Sequence, residues 1–310
     1  MSIVRTDVPM TSELCRQTIR QLVEAYPFLR TRTLTTTAFG RPVEGVIIGE
    51  GERRVIYSAS HHANEWITTT LLLKFLEELA AAEAGGGRIY GVPARTVTQA
   101  ATIYVVPMVN PDGVDLVTGA IRPGSAEYAQ ARRLGDNYPQ IPFPDGWKAN
   151  LLGVDLNLQY PAGWLLAKEI KFAQGYTRPG PRDYVGRAPL NQRESRALAE
   201  FTREMDPTLT LAYHTQGKEI YWQFRDIPVP GARELAEEFA RISGYTLAEP
   251  AYQSGFAGYK DWFIQTFRRP GFTIEAGSGE NPLPLSQFGE IYRDNLGILV
   301  TAATGLPGGA

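Results

Sequence analysis

Val55–Gly87 reads VIYSASHHANEWITTTLLLKFLEELAAAEAGGG, and its two halves follow different periods. VIYS is β-branched and aromatic, the composition of a buried strand. From Ile67 to Ala84 the residues are good helix formers, and Gly85-Gly86-Gly87 stops them. A strand feeding a helix is the unit from which α/β sheets are built. The same alternation continues in both directions. Upstream, Thr11–Tyr26 has helical spacing, and EGVII (Glu44–Ile48) is a short β-rich run. The turn-like GEGERR between EGVII and VIYS predicts a hairpin. Downstream, TIYVVPMV (Thr102–Val109) predicts a buried strand ending in the loop NPDG. Residues from about 111 to 186 are rich in glycine and proline and predict long surface loops. Asn191–Asp206 then reads as helix, Thr208–Tyr213 as strand, Ala232–Ser243 as helix, Gly271–Ala276 as strand and Pro284–Ala303 as a closing helix. No repeat or low-complexity linker interrupts the series. One α/β domain over residues 1–310 with a mostly parallel sheet is expected, its site at the carboxyl ends of the strands.

Composition narrows the function. The chain has 310 residues, 43% hydrophobic and 21% charged, enough for a large core. A net charge of −2 gives no basic face for nucleic acid or an anionic membrane. Cys15 is the only cysteine and is expected in the core of the first helix, so a disulfide framework and cysteine-rich metal sites are excluded. No apolar run approaches the ~20 residues that span a bilayer. Arg5, Asp7, Glu13 and Arg16 break the stretch where a signal peptide needs apolar residues, which predicts a cytoplasmic protein. The oligomeric state has no signature in the sequence.

Only three histidines exist, and two of them, His61 and His62, are adjacent. His62 and Glu65 are spaced i, i+3 at a helix start, which puts both side chains on one side of the chain. Two imidazoles and a carboxylate with one open position form a catalytic zinc set. The only distant histidine is His214, at the end of TLTLAYH. A satisfied core histidine or a helix cap is the alternative. Catalytic zinc needs a nearby base. Glu275 is the candidate, because it interrupts the apolar strand FTIEA, where a carboxylate is costly without a partner or a task. An ion pair with Arg268 or Arg269 is the competing explanation. His61 reads as a structural neighbour, and Asp112 as a turn residue in NPDG. Asp155 reads as a turn residue too, with a ligand-orienting role as the second option.

These residues, in this order, resemble the zinc carboxypeptidase family, the carboxypeptidase A-like metallopeptidases. The resemblance runs from Tyr57 to Glu275, about 70% of the chain. It rests on HANEW with His62 and Glu65, NPDG at Asn110–Gly113, WKANLLGVDLN at Trp147–Asn157, AYHTQG with His214, YQSG with Tyr252, and FTIEA with Glu275. It implies a mixed, mostly parallel central sheet flanked by helices and one Zn²⁺ on His62, Glu65 and His214. It also implies Glu275 as general base, Lys148 as the oxyanion-stabilising cation, Asn157 as a substrate-binding amide and Tyr252 as a capping side chain. Lys260 falls in the pocket for the leaving residue, where it suits an acidic or zwitterionic group.

The departures are informative. The family's carboxypeptidases follow the asparagine with an arginine that grips the substrate's terminal carboxylate, whereas this chain has Leu158. Leucine cannot supply a bidentate fork. Arg122, Arg133 and Arg187 in the long loops are candidates to replace it. ASHHANEWIT, NPDGVDL, WKAN and GVDLNLQYPAGW look most like the bacterial γ-D-glutamyl-meso-diaminopimelate peptidases. That branch implies hydrolysis of a γ-D-glutamyl–diamino acid bond in peptidoglycan stem peptides, with no nucleic-acid or membrane partner. The alternatives are a carboxypeptidase for ordinary peptides and a non-catalytic protein that holds wall peptides.

Overall fold

Val55 to Ala59 is buried at every position, as is every residue from Leu209 to His214. Segments buried on both faces fit only a sheet that helices cover on each side. That sheet runs through the centre of the protein, whose computed structural model describes residues 2–305. The chain opens with α1 (Ser12–Ala25), β1 (Arg30–Thr36), β2 (Pro42–Ile48), β3 (Arg53–Ala59) and α2 (Ile67–Gly85). A small hairpin of β4 (Arg88–Ile89) and β5 (Val92–Pro93), then α3 (Ala94–Ala100), leads into β6 (Ala101–Val106). Helices α4 (Pro111–Val117), α5 (Ala126–Gly135), α6 (Trp164–Ala173) and α7 (Arg193–Met205) precede β7 (Leu209–His214) and β8 (Glu219–Tyr221). Then come α8 (Ala232–Ser243), β9 (Thr246–Leu247), α9 (Tyr259–Phe267), β10 (Gly271–Glu275) and α10 (Phe288–Thr304).

The eight-stranded sheet has the order β1-β2-β6-β3-β7-β10-β8-β9. Its middle, β6-β3-β7-β10, is parallel throughout, while β2 and β8 run antiparallel to their inner neighbours. This is the mixed, mostly parallel sheet the sequence implies. Side chains alternate between two cores: Val55, Tyr57 and Leu211 join α2, α8 and α10, while Ile56 and Ala212 join α6, α7 and α9. The buried Tyr57 hydroxyl donates to the Leu299 carbonyl of α10 at 2.8 Å, so the strand is pinned to its helix layer. No helix among the described residues is long and apolar enough to cross a membrane.

Three expectations are corrected. EGVII and VIYS do not form a hairpin, because β6 lies between β2 and β3. The glycines in GEGERR serve close approach instead of a tight β-turn. A Cβ on Gly51 would lie 2.2 Å from the Ala100 carbonyl carbon, and one on Gly49 2.1 Å from the Ala101 oxygen. The turn therefore crosses over the start of β6. Secondly, residues 111–186 hold three helices. NPDG is a helix start, with Asn110 as N-cap accepting from Gly113 N–H at 3.1 Å and Pro111 at the first helical position. The strand expected to run to Val109 stops at Val106, before Pro107, which has no N–H to give the ladder.

Candidate metal centre and substrate cleft

At the carboxyl end of β3 the chain turns sharply at Ser60, whose φ of 49° is left-handed. Its hydroxyl lies 2.7 Å from that of Thr69, which fastens the turn to α2. His62 follows in extended conformation, and a 3-10 turn at Ala63–Glu65 brings Glu65 back beneath it. Because β7 lies beside β3, His214 at its end arrives at the same place. His62 Nδ1 lies 2.9 Å from Glu65 Oε1, and His214 Nδ1 lies 2.9 Å from Glu65 Oε2. The two Nδ1 atoms are 3.2 Å apart. Three donor atoms thus converge within 4.8 Å, a set of two imidazoles and one carboxylate that fits a single divalent ion such as Zn²⁺. The core-histidine and helix-cap alternatives do not describe this arrangement.

The surroundings orient the donors. Asp155 Oδ1 sits 3.1 Å from His62 Nε2 and also accepts from Asn157 N–H at 3.1 Å, so it both turns the chain and orients a ligand. His61 is fully buried, with Nε2 3.1 Å from the Tyr160 hydroxyl and its ring stacked on that of His214 at 5.6 Å. It is a structural neighbour that holds the His214 ring. Lys148 Nζ lies 3.1 Å from Glu65 Oε1. Its backbone is tied to the metal turn, since Ala63 N–H donates to Lys148 O at 3.0 Å.

Burial alone would neutralise these groups, but in the metal-free protein they charge one another. It raises the Glu65 carboxyl, yet His62, Lys148 and His214 hold that group well below the ordinary carboxylate range. Burial opposes the His62 imidazolium, which Glu65 and Asp155 outweigh, pushing it up to about 9. Metal binding displaces that proton, because a ligating imidazole must be neutral.

Glu275 ends β10, in register with His214. No ion pair reaches it among the described residues; Arg269 instead pairs with Asp206 at 2.7 Å, and Arg268 ends α9. Burial, then the charge of Glu65, pushes the Glu275 carboxyl up to about 8.

His62, Lys148, Asp155, His214 and Glu275 line a cleft of about 870 Å³, room for a short peptide. Asn157 lies on its wall, with its Oδ1 accepting from Tyr259 N–H at 3.0 Å. Leu158 contributes an apolar, nearly buried surface. Lys260 reaches the cleft from the first turn of α9, but its ammonium is paired with Asp261 Oδ1 at 2.6 Å, so this end of the cleft is zwitterionic. Tyr252 is 66% exposed, its ring edge-on to Phe256, and stands outside the lining while Ala251 and Ser254 form the rim. Arg122, Arg133 and Arg187 are not in the lining. Three residues that sequence reasoning passed over are: Lys171, Arg182 and Asp183. RPGPRDY has no periodicity, and Lys171 is indistinguishable in sequence from its surface neighbour Lys168.

Comparison with known proteins agrees with this geometry. The zinc carboxypeptidase family profile matches residues 15–297. Gamma-D-glutamyl-L-diamino acid endopeptidase 1 of Lysinibacillus sphaericus is 44% identical over 282 residues, spanning 91% of this chain and 69% of the relative. The uncharacterized protein YqgT of Bacillus subtilis is 36% identical, spanning 91% of this chain and 73% of its own. Among solved structures, thrombin activatable fibrinolysis inhibitor superposes with a TM-score of 0.74 at 16% identity, over 98% of this chain and 76% of that one. That likeness is one of fold.

Proposed function

We propose a reaction from the premise that this chain belongs to the zinc carboxypeptidase family: it is a zinc metallopeptidase, and its substrate is the γ-D-glutamyl–diamino acid bond of peptidoglycan stem peptides. The reading is carried by one observation. His62 and His214, joined by Glu65 into an intact set, and a Glu275 without an ion pair among the described residues meet at a cleft that has Leu158 where a terminal carboxylate would need a cation. The relationship to the Lysinibacillus endopeptidase, whose name states that bond, supports the substrate class. The Lys260–Asp261 pair supports it further, since a diamino acid ends in one ammonium and one carboxylate.

His62 and His214, through Nδ1, and Glu65 would hold the ion. When bound, Zn²⁺ polarises a carbonyl and lowers the pKa of water from ~15.7 towards ~7. Glu275 takes the proton of the attacking water and hands it to the leaving amine; its raised proton affinity suits both transfers. Lys148 sets a fixed positive charge where the carbonyl oxygen becomes negative. Asn157 orients the substrate's polar end, and Tyr252, which stands outside the rim, would move in to cover it. A carboxypeptidase acting on ordinary peptides is the second reading, favoured by the cation Arg182 in the cleft wall. The cytoplasmic site of action expected from the sequence belongs to this proposal, and cell fractionation tests it.

The decisive experiment incubates zinc-loaded protein with L-Ala-γ-D-Glu-meso-diaminopimelate and, separately, with an amino-blocked ordinary dipeptide, and weighs the products. Release of diaminopimelate from the first alone is expected. Cleavage of the dipeptide alone would transfer the proposal to the second reading. Glu275→Gln is expected to keep its zinc and lose at least about a thousandfold in kcat; substantial residual turnover would remove Glu275 from the role of base.

A further inference from the structure

Arg182 is the side chain of the cleft wall with the most unused donors. Its only hydrogen bond among the described residues runs from Nε to Asp183 Oδ2 at 2.8 Å, so both terminal amino groups of the guanidinium make none. The side chain is 38% exposed. What aims it is rigid. The second oxygen of Asp183 is 2.6 Å from Lys171 Nζ, and that lysine is only 6% exposed. Asp183 N–H donates to Asp155 Oδ2 at 3.2 Å, the carboxylate that also holds His62. One residue earlier, Pro181 O accepts from both Lys148 N–H and Ala149 N–H at 2.8 Å. The segment bearing Arg182 is therefore stitched to the oxyanion lysine on one side and to the ligand-orienting aspartate on the other. Two cations share the Asp183 carboxylate, so that carboxylate alone does not neutralise Arg182.

We propose that Arg182, aimed by Asp183 and Lys171, binds a carboxylate of the substrate and supplies the anion grip that Leu158 cannot. This rests on the peptidase reading above. A γ-D-glutamyl–diamino acid peptide offers two carboxylates near the scissile bond. One is the α-carboxylate of the glutamyl residue, free because the chain runs through its side chain. The other is the main-chain carboxylate of the diamino acid. Both are met by the same bidentate chemistry.

The test compares wild type, Arg182→Gln, Arg182→Lys and Lys171→Met on three peptides: the free acid, the form amidated at the glutamyl α-carboxylate, and the form amidated at the diamino acid carboxylate. Arg182→Gln is expected to lower kcat/KM on the free acid by about 100-fold, mainly through KM. On one of the two amidated peptides, variant and wild type should become nearly equal, and that peptide names the carboxylate. Arg182→Lys should recover part of the loss, and Lys171→Met should lose about tenfold by releasing the aim of Asp183. Zinc content and circular dichroism confirm that the variants fold. A loss under threefold on the free acid, or an equal loss on all three peptides, overturns the assignment. Should wild type cleave only the ordinary dipeptide, the γ-glutamyl reading falls by itself. Arg182 is then judged on that dipeptide as acid and as amide, where loss confined to the acid supports it and equal loss overturns it.

Discussion

Asp155 does three things with one carboxylate. It faces His62 Nε2, caps the turn at Leu156–Leu158 and receives the N–H of Asp183. Burial disfavours its ionised form, but His62, through charge and hydrogen bond, holds it well below the usual carboxylate range. Asp155→Asn keeps the size and the cap while removing the charge that fixes the imidazole. Zinc affinity, measured by competition with a chelator, should fall about 10- to 100-fold. An unchanged affinity would mean that packing alone sets the ring. At this scale the sequence was partly legible. His62, Glu65 and His214 stood out because histidine is scarce and the spacing is chemical, and Glu275 because it breaks an apolar strand. Asp155 did not, since a turn residue and an orienting residue look identical in one chain.

Glu194, in the first turn of α7, is only 3% exposed and faces Asn150 beneath the Lys148 segment. Burial, with a contribution from Asp112, pushes its carboxyl up to about 7. Between about 4.5 and 7 the folded protein then holds a proton that the unfolded chain releases, so stability declines as pH rises through this window. Asp112, raised to about 6 chiefly by burial, acts in the same direction. Glu194→Gln should flatten the decline and stabilise the protein at pH 8 by up to roughly 3 kcal/mol, read from urea midpoints at pH 5 and pH 8. A pH profile identical to wild type would refute this. Helices α1, α7, α8 and α10, each with a buried face, and α2, a long run of helix formers buried on almost every side, were legible in sequence. The short helices were hidden: α4 starts on proline and glycine, α5 is mostly polar, and α3, α6 and α9 are too short to show a repeating stripe. Strand β1, RTRTLTT, was hidden because an exposed edge needs no apolar stripe. The false hairpin failed for a different reason: which strands are neighbours is decided by chain far away, here β6.

For the molecule as a whole, the metal should reinforce a fold that exists without it. Glu65 is balanced by Lys148 as well as by the histidines, and all three ligands are anchored in elements that pack against the large cores. Chelation should lower Tm by roughly 5–10 °C, the effect of losing a ligand held well above its Kd, and leave the far-UV spectrum unchanged. Unfolding on chelation would contradict this. The alternation of strands and helices made the layered architecture readable, whereas Arg182 became visible only when a featureless loop was seen to pass beside Lys148. The order β3-β7-β10 carries a further consequence. Both histidines of the metal set and Glu275, the proposed general base, stand at the ends of three adjoining strands, while Arg182, Lys171 and Lys260 come from the loop and helices draped around them. Bond-breaking and selectivity are thus built from different elements yet inherited together: descendants of this chain can acquire new diets through the 171–183 segment only while Pro181 stays on Lys148 and Asp183 on Asp155, because losing those ties disturbs the hydrolytic engine as well.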